Sequence, residues 1–241
     1  MQEAELSIPG IAQTQPWNTL LELTDVLQPD SWILVGGLMV QAHALLERRE
    51  VRVTKDIDIL IDVLANTSNI SHVLNSLESL GFSKQEPGLR GSAFHRLIKG
   101  EQVVDTLIAD HLPSQKRAKA KVDVWPMMEV PGGAQAISRR MLLSIGNTNR
   151  IYMPNLLGAM ILKAAAYQVD RRERERHLDD IALLASLITD HASALLELHG
   201  SDKKRLKAVW ALLRDHNHPS WLKLASTDRL KGQDTLRILA E

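Results

Sequence analysis

The stretch VTKDIDILID, residues 53–62, sets the tightest limit on what this chain can fold into. Its alternation predicts a strand over residues 57–63. Ile57, Ile59 and Ile61 then share one face, and Asp56, Asp58, Leu60 and Asp62 share the other. Asp56 and Asp58 fall about 7 Å apart along such a strand. Converging carboxylates repel, and each resists ionisation while the other is charged. A divalent cation removes the conflict. Magnesium takes oxygen ligands, few of them protein carboxylates, and fills its octahedron with water and substrate phosphates. The other reading of the stretch is an edge strand with a solvated acidic face. Asp62, two pleats beyond Asp58, is expected at the solvent end of the strand and outside any site.

Two neighbours favour the metal reading. The apolar strand SWILV (31–35) ends at Gly36-Gly37 and opens a helix over Leu38–Arg49, and the first aspartate of the pair stands nineteen residues after Gly37. Glycine lets a phosphate approach the backbone, and a helix N-terminus offers free N–H donors and a positive dipole. A tight strand–helix turn explains the glycines equally well. In VVDTLIA, Asp105 sits inside another apolar strand, where a carboxylate needs a partner. If that strand lies beside the first, Asp56, Asp58 and Asp105 meet at one metal site, an arrangement suited to in-line phosphoryl or nucleotidyl transfer.

Around these motifs the chain reads as α+β. Residues 1–16 are expected to be a loose lead-in with Pro9, Gly10 and Pro16. Helical spacing marks Trp17–Leu27 and Asn69–Leu80, the latter closed by Gly81. SAFHRLIKG and EQVVDTLIA are strand candidates joined at Gly100. Residues 111–121 are expected to be a loop, KVDVWPM a short strand, and Pro131-Gly132-Gly133 a turn. MLLSI and RIYMP are expected to pair across the GNTN turn at 146–149. Beyond Pro154 only helical texture remains: Asn155–Val169, a charged link over 171–176, then His177–Thr189, Lys203–Arg214 and Thr227–Ala240. The expected division is 17–153, a mixed-sheet α/β domain, and 154–241, a C-terminal helical bundle.

Composition excludes several classes. With no cysteine there is no disulfide, thiolate metal site or cysteine nucleophile. Lys+Arg and Asp+Glu are both 29, so no global basic excess announces a nucleic-acid binder. The N-terminal segment lacks the pattern of a secretory signal, and no apolar run has the roughly 18 residues of a membrane span. A cytoplasmic protein with no membrane partner is the expectation.

Residues 32–62, WILVGGLMVQAHALLERREVRVTKDIDILID, together with VVDTL, resemble the core motifs of the nucleotidyltransferase superfamily of the DNA polymerase β type. Thr54, just before the aspartate pair, is similar to family members too. The stretch 154–187 resembles the region that follows in the AbiEii/MenT-like toxin branch, where a lysine on an apolar helix and an aspartate on the next helix complete the nucleotide site. Lys163 fits that lysine, and Asp180 fits the aspartate, with Asp179 as the alternative. Many relatives carry Arg-Asp where this chain has Arg176-His177, and the glycine motif has Gly37 where other branches have serine.

The resemblance implies transfer of a nucleoside monophosphate from an NTP, with release of pyrophosphate. Asp56, Asp58 and Asp105 would be the Mg²⁺ ligands, and Asp105 also the general base. Gly36, Gly37, Thr54 and Lys163 would bind the triphosphate, with Lys163 and Asp180 counted in the catalytic set. In the toxin branch the expected acceptor is RNA, notably the tRNA 3′ end, and the expected protein partner is a cognate antitoxin. A small-molecule nucleotidyltransferase of the antibiotic-modifying kind is the second reading. A non-catalytic binding or antitoxin module on the same fold is the third. The basic stretches KRAKAK (116–121) and RRERER (171–176) either track phosphates or form solvated faces. Lys163 among apolar neighbours either reaches an anion or snorkels to the surface.

Overall fold

The computed structural model describes the chain apart from Met1, Ile8, Pro9, Val51, Leu89, Arg90, Gly91, Asn147 and the side chain of Ala12. Pro9 of the expected lead-in and Asn147 of the expected GNTN turn therefore lie outside it. The first elements are β1 (Glu3–Leu6), α1 (Trp17–Val26), β2 (Trp32–Val35), α2 (Gly36–Leu46) and β3 (Asp56–Ile61). The four residues of β2 are all buried, as an apolar strand covered on both faces must be. The helix α2 starts at Gly36 itself, directly off the strand and two residues before the expected start.

The chain continues through α3 (Asn69–Ser79), β4 (Ser83–Lys84), β5 (Arg96–Lys99) and β6 (Gln102–Ala109). Gly81 closes α3 at φ +88°. Its N–H reaches the Glu78 carbonyl at 2.9 Å and that of Phe82 reaches Leu77 at 3.1 Å, the paired bonds of a Schellman cap. The main sheet runs β2-β3-β6-β5-β4, with β3 and β6 parallel and the other neighbours antiparallel. The hairpin β5–β6 has Gly100-Glu101 as its two-residue loop, with Gly100 at φ +59°.

Three expectations along this half need correction. Residues 111–121 are not all loop: α4 (Ser114–Lys119) forms there, tethered where the Lys116 amine donates to the carbonyls of Val63 and Leu64. KVDVWPM is not one strand but a small ribbon of β7 (Lys121–Val122) and β8 (Trp125–Pro126). Asp62 is not at a solvent end. It is 5% exposed just past β3, where its carboxylate accepts the Ala65 N–H at 2.9 Å and its carbonyl accepts from Asn69 Nδ2 at 2.8 Å. A carboxylate buried at a turn is satisfied by the turn's own backbone.

Next come β9 (Glu129–Val130), which pairs with the end of β6, α5 (Gly133–Ser138), β10 (Arg140–Ile145) and β11 (Asn149–Pro154). The Pro131–Gly133 turn leads straight into α5, which sequence periodicity did not reveal. β10 and β11 pair antiparallel as expected. The lead-in, however, is not loose, because β1 lies parallel to β10 and completes a three-stranded sheet. The unpaired edge of β10 supplies the partner groups, and Leu6 is buried by the contact.

The remaining elements are helices: α6 (Leu156–Val169), α7 (Arg174–Leu187), α8 (His191–Glu197), α9 (Asp202–Leu213), α10 (Pro219–Leu222) and α11 (Ser226–Ala240). Asn155 caps α6 by accepting the Gly158 N–H at 2.9 Å. The expected link over 171–176 is half helix, since α7 begins at Arg174. The architecture is thus α+β, with mixed sheets and a helical C-terminal region. The expected boundary falls between β11 and α6, yet one apolar core runs from Leu20 and Leu38 through Ile57 to Ile181 and Leu236. Among the described residues no helix is long and apolar enough to cross a membrane.

Candidate active site

Parallel pairing of β3 with β6 puts Asp58 and Asp105 directly opposite each other, and antiparallel pairing of β6 with β5 puts Arg96 opposite Asp105. Neighbouring strands are about 4.8 Å apart. One row across three strands therefore carries carboxylate, carboxylate and guanidinium. Arg96 holds Asp105 by both oxygens, Nε at 2.8 Å and Nη2 at 2.7 Å. Such a bidentate fork fixes the carboxylate plane. Asp56 is one pleat before Asp58 at the mouth of β3.

On the other side of β3, β2 ends with Val35 opposite Asp58, and the chain turns at Gly36 with φ +70°. A Cβ on Gly36 would stand 1.8 Å from Asp58 Oδ2. Only glycine accepts both that φ and that approach. One at Gly37 would meet Thr54 Oγ1 at 2.8 Å. No side chain caps α2, and the Gly37 N–H bonds to Asp58 instead. The Asp58 carboxyl is pushed above the usual carboxylate range, by loss of hydration first and then by the charge of Asp105. Lys163 pulls the other way, and Asp56 adds to the rise.

The opposite wall comes from α6 and α7. Lys163 is buried and pairs with Asp180 Oδ2 at 2.7 Å, so it does not snorkel to the surface. Arg52 Nη2 lies 3.7 Å from the same oxygen. Asp180, not Asp179, is the inward member of the pair. Asp179 faces outward and binds the exposed amine of Lys223 at 2.6 Å. His177, one turn before Asp180, binds Asp170 through Nε2 at 2.9 Å.

Gly36, Gly37, Thr54, Asp56, Asp58, Asp105 and Lys163 all line one cleft of about 300 Å³, and Asp180 stands behind Lys163. Sequence reasoning missed Arg52, Arg96 and the inward set of His177. Arg96 had a readable signal: a two-residue loop at Gly100-Glu101 fixes the hairpin register and sets residue 96 opposite residue 105. The basic stretches divide. Arg117 binds Glu129 at 2.8 Å, and Glu129 is itself part of the cleft rim. Arg174 stacks on the Tyr167 ring with its guanidinium carbon 4.2 Å from the centroid, Arg176 pairs with Glu173, and Arg176 also lines the cleft.

Among the described residues, no three His, Asp or Glu side chains are grouped as a metal site. The donor chemistry nevertheless fits a hard cation held by two carboxylates. Asp56 and Asp58 are oxygen donors, and a cation would relieve the loss of hydration at Asp58 and the repulsion that Asp56 adds to it. Asp105 accepts one bond from Arg96 on each oxygen and keeps a further lone pair on both. Comparison with protein-family models, curated proteins and solved structures finds no significant match to the chain.

Proposed function

We propose that this protein is a magnesium-dependent nucleotidyltransferase of the DNA polymerase β type, moving a nucleoside monophosphate from an NTP to an acceptor and releasing pyrophosphate. The observation that supports this reading is the row Asp58–Asp105 on adjacent parallel strands, beside the Gly36-Gly37 turn and in one cleft with Lys163. Asp56 and Asp58 are the residues that would hold Mg²⁺, with Asp105 as third ligand and base of the motif-based reading. The ion when bound supplies positive charge against the triphosphate. Gly36, Gly37 and Thr54 border the phosphates, and Lys163, poised by Asp180, answers their charge.

Arg52, Arg96, Lys163 and Arg176 balance Asp56, Asp58, Asp105 and Glu129 around the cleft, and a cation held by Asp56 and Asp58 would tip that balance toward a polyanionic acceptor over a cationic antibiotic. The acceptor proposed is RNA, with the tRNA 3′ end as first case. The biological role proposed is a cytoplasmic toxin with a cognate antitoxin, which rests on the resemblance of residues 154–187. The test is purified protein with Mg²⁺, total RNA and each of the four α-labelled NTPs. Label in RNA supports the proposal. No transfer to RNA, protein or small acceptors, together with no NTP binding, overturns it.

A further inference from the structure

The turn at Gly36-Gly37 has two sides. A Cβ at Gly36 would run into Asp58, whereas one at Gly37 would meet Thr54 Oγ1 at 2.8 Å and stand 3.6 Å from Arg52 Nη2. The first side belongs to the carboxylates, where the reacting phosphorus sits in the proposed reaction. On the second side the guanidinium of Arg52 lies against the first turn of α2. That turn carries no acidic residue and no side-chain cap, so its positive dipole end adds to the guanidinium.

Arg52 has donors to offer. Arg49, in the same loop between α2 and β3 and with a side chain 42% exposed, is spent on Asp228 Oδ1 at 2.8 Å. The Arg52 side chain is 41% exposed, and Asp180 Oδ2 at 3.7 Å is beyond hydrogen-bond reach. That oxygen already meets Lys163 at 2.7 Å. Two cations thus lean on one carboxylate oxygen, and Gly37, Thr54, Arg52 and Lys163 all line the cleft. A planar guanidinium takes a phosphate by two parallel donors. The apolar lining of the cleft, including Leu107, Met128 and Val130, suits the nucleoside instead.

We propose that Arg52 grips the terminal phosphate of the NTP, so that the site distinguishes a triphosphate from a diphosphate. This assignment rests on the nucleotidyltransferase reading. With the α-phosphorus at the carboxylates, the phosphate chain runs along the Gly36-Gly37 turn toward Thr54, and its last member meets the guanidinium with Lys163 beside it. Arg52 is a binding residue and moves no proton.

The experiment measures, by titration calorimetry with Mg²⁺, the binding of the four NTPs with their di- and monophosphates, and of inorganic tripolyphosphate. It compares wild type, Arg52→Gln, Arg52→Lys and the control Arg49→Gln, with thermal midpoints and RNA affinity alongside. Arg52→Gln should lose about 10–100-fold in NTP and tripolyphosphate affinity and nothing in monophosphate affinity, so its preference for tri- over diphosphate collapses. Arg52→Lys, which keeps the charge without the fork, should fall between, and Arg49→Gln should keep the wild-type preference. A folded Arg52→Gln with the wild-type preference overturns the assignment alone. So does one that weakens for RNA and not for NTP, because the guanidinium then serves the acceptor. A wild type that neither binds NTP nor transfers label overturns the nucleotidyltransferase reading, and this assignment with it.

Discussion

Two buried cation–carboxylate pairs in the C-terminal half have nearly the same geometry and opposite surroundings. Arg139–Asp202 closes at 2.6 Å and Lys163–Asp180 at 2.7 Å, all four side chains under a tenth exposed. Arg139 spends its guanidinium on its neighbours: Gln135 Oε1 at 3.1 Å, the Glu197 carbonyl, His199 Nδ1 at 2.7 Å and Asp202. It ties α5 to the start of α9. Lys163 has Asp180 behind it and the cleft in front. A compact ammonium with three donors can keep one partner while meeting another ligand, whereas the Arg139 fork is held by three neighbours at Nη2 alone. The difference separates a cross-link from a poised binding group, although the two distances alone do not.

The largest expected effect breaks both pairs. Arg139→Met and Lys163→Met each leave a buried carboxylate without its cation, at about 3–5 kcal/mol in unfolding free energy. Replacing both partners separates the cases. Arg139→Met with Asp202→Leu should recover most stability and keep transferase activity. Lys163→Met with Asp180→Leu should recover stability and still lack transfer. Urea melts and label transfer on the same preparations check this, and equal activity in both double variants would erase the distinction.

Next in size is Asp58→Ala, expected to lower transfer by about 10²–10³-fold with the fold intact. Asp58→Asn should raise the thermal midpoint at neutral pH, because the ionised carboxylate is disfavoured in the folded chain. Added Mg²⁺ should raise the midpoint of wild type more than that of this variant.

Of similar size is an acid effect at the join of the two halves. His43 on α2 lies with Nε2 2.9 Å from the Pro154 carbonyl, and burial lowers its pKa from 6.5 to about 4. Between those values the unfolded chain holds the extra proton. Stability is therefore full above pH 6.5 and falls by roughly 3 kcal/mol as pH drops to 4. His43→Gln should flatten that slope in denaturant titrations against pH. The smallest effect is at Asp179, whose partner Lys223 is 61% exposed. Asp179→Asn should change stability by no more than about 1 kcal/mol and leave transfer unchanged, in contrast to its neighbour Asp180.

Much of the strand side was legible because it is local. β2, Gly36-Gly37, α2 and β3 follow one another within some thirty residues, and the β10–β11 pairing follows from two apolar runs around a turn. Even the neighbourhood of Asp58 and Asp105 followed from asking what a carboxylate inside an apolar strand needs. The rest depended on distant partners. EAEL becomes β1 only because β10 presents a free edge more than a hundred residues away. Lys163 and Asp180 read as separate charges until two helices are packed face to face. Asp62 looked like its siblings by alternation, and only the turn that follows shows that it serves the backbone. His177 stood out in the sequence only as a departure from the pattern that residues 154–187 resemble.

Residues 36 and 58 occupy a single shared volume, and that has a genetic consequence. In a library randomised at both positions, bulk at one forbids bulk at the other. A methyl added at 36 should be rescued in folding by shortening Asp58 to glycine, since the Asp58 Cβ alone would stand 2.6 Å away, less the cost of the left-handed backbone. No such rescue should restore transfer. The folding solutions are many and the working one is a single combination, so this corner of the molecule can drift only by giving up its chemistry.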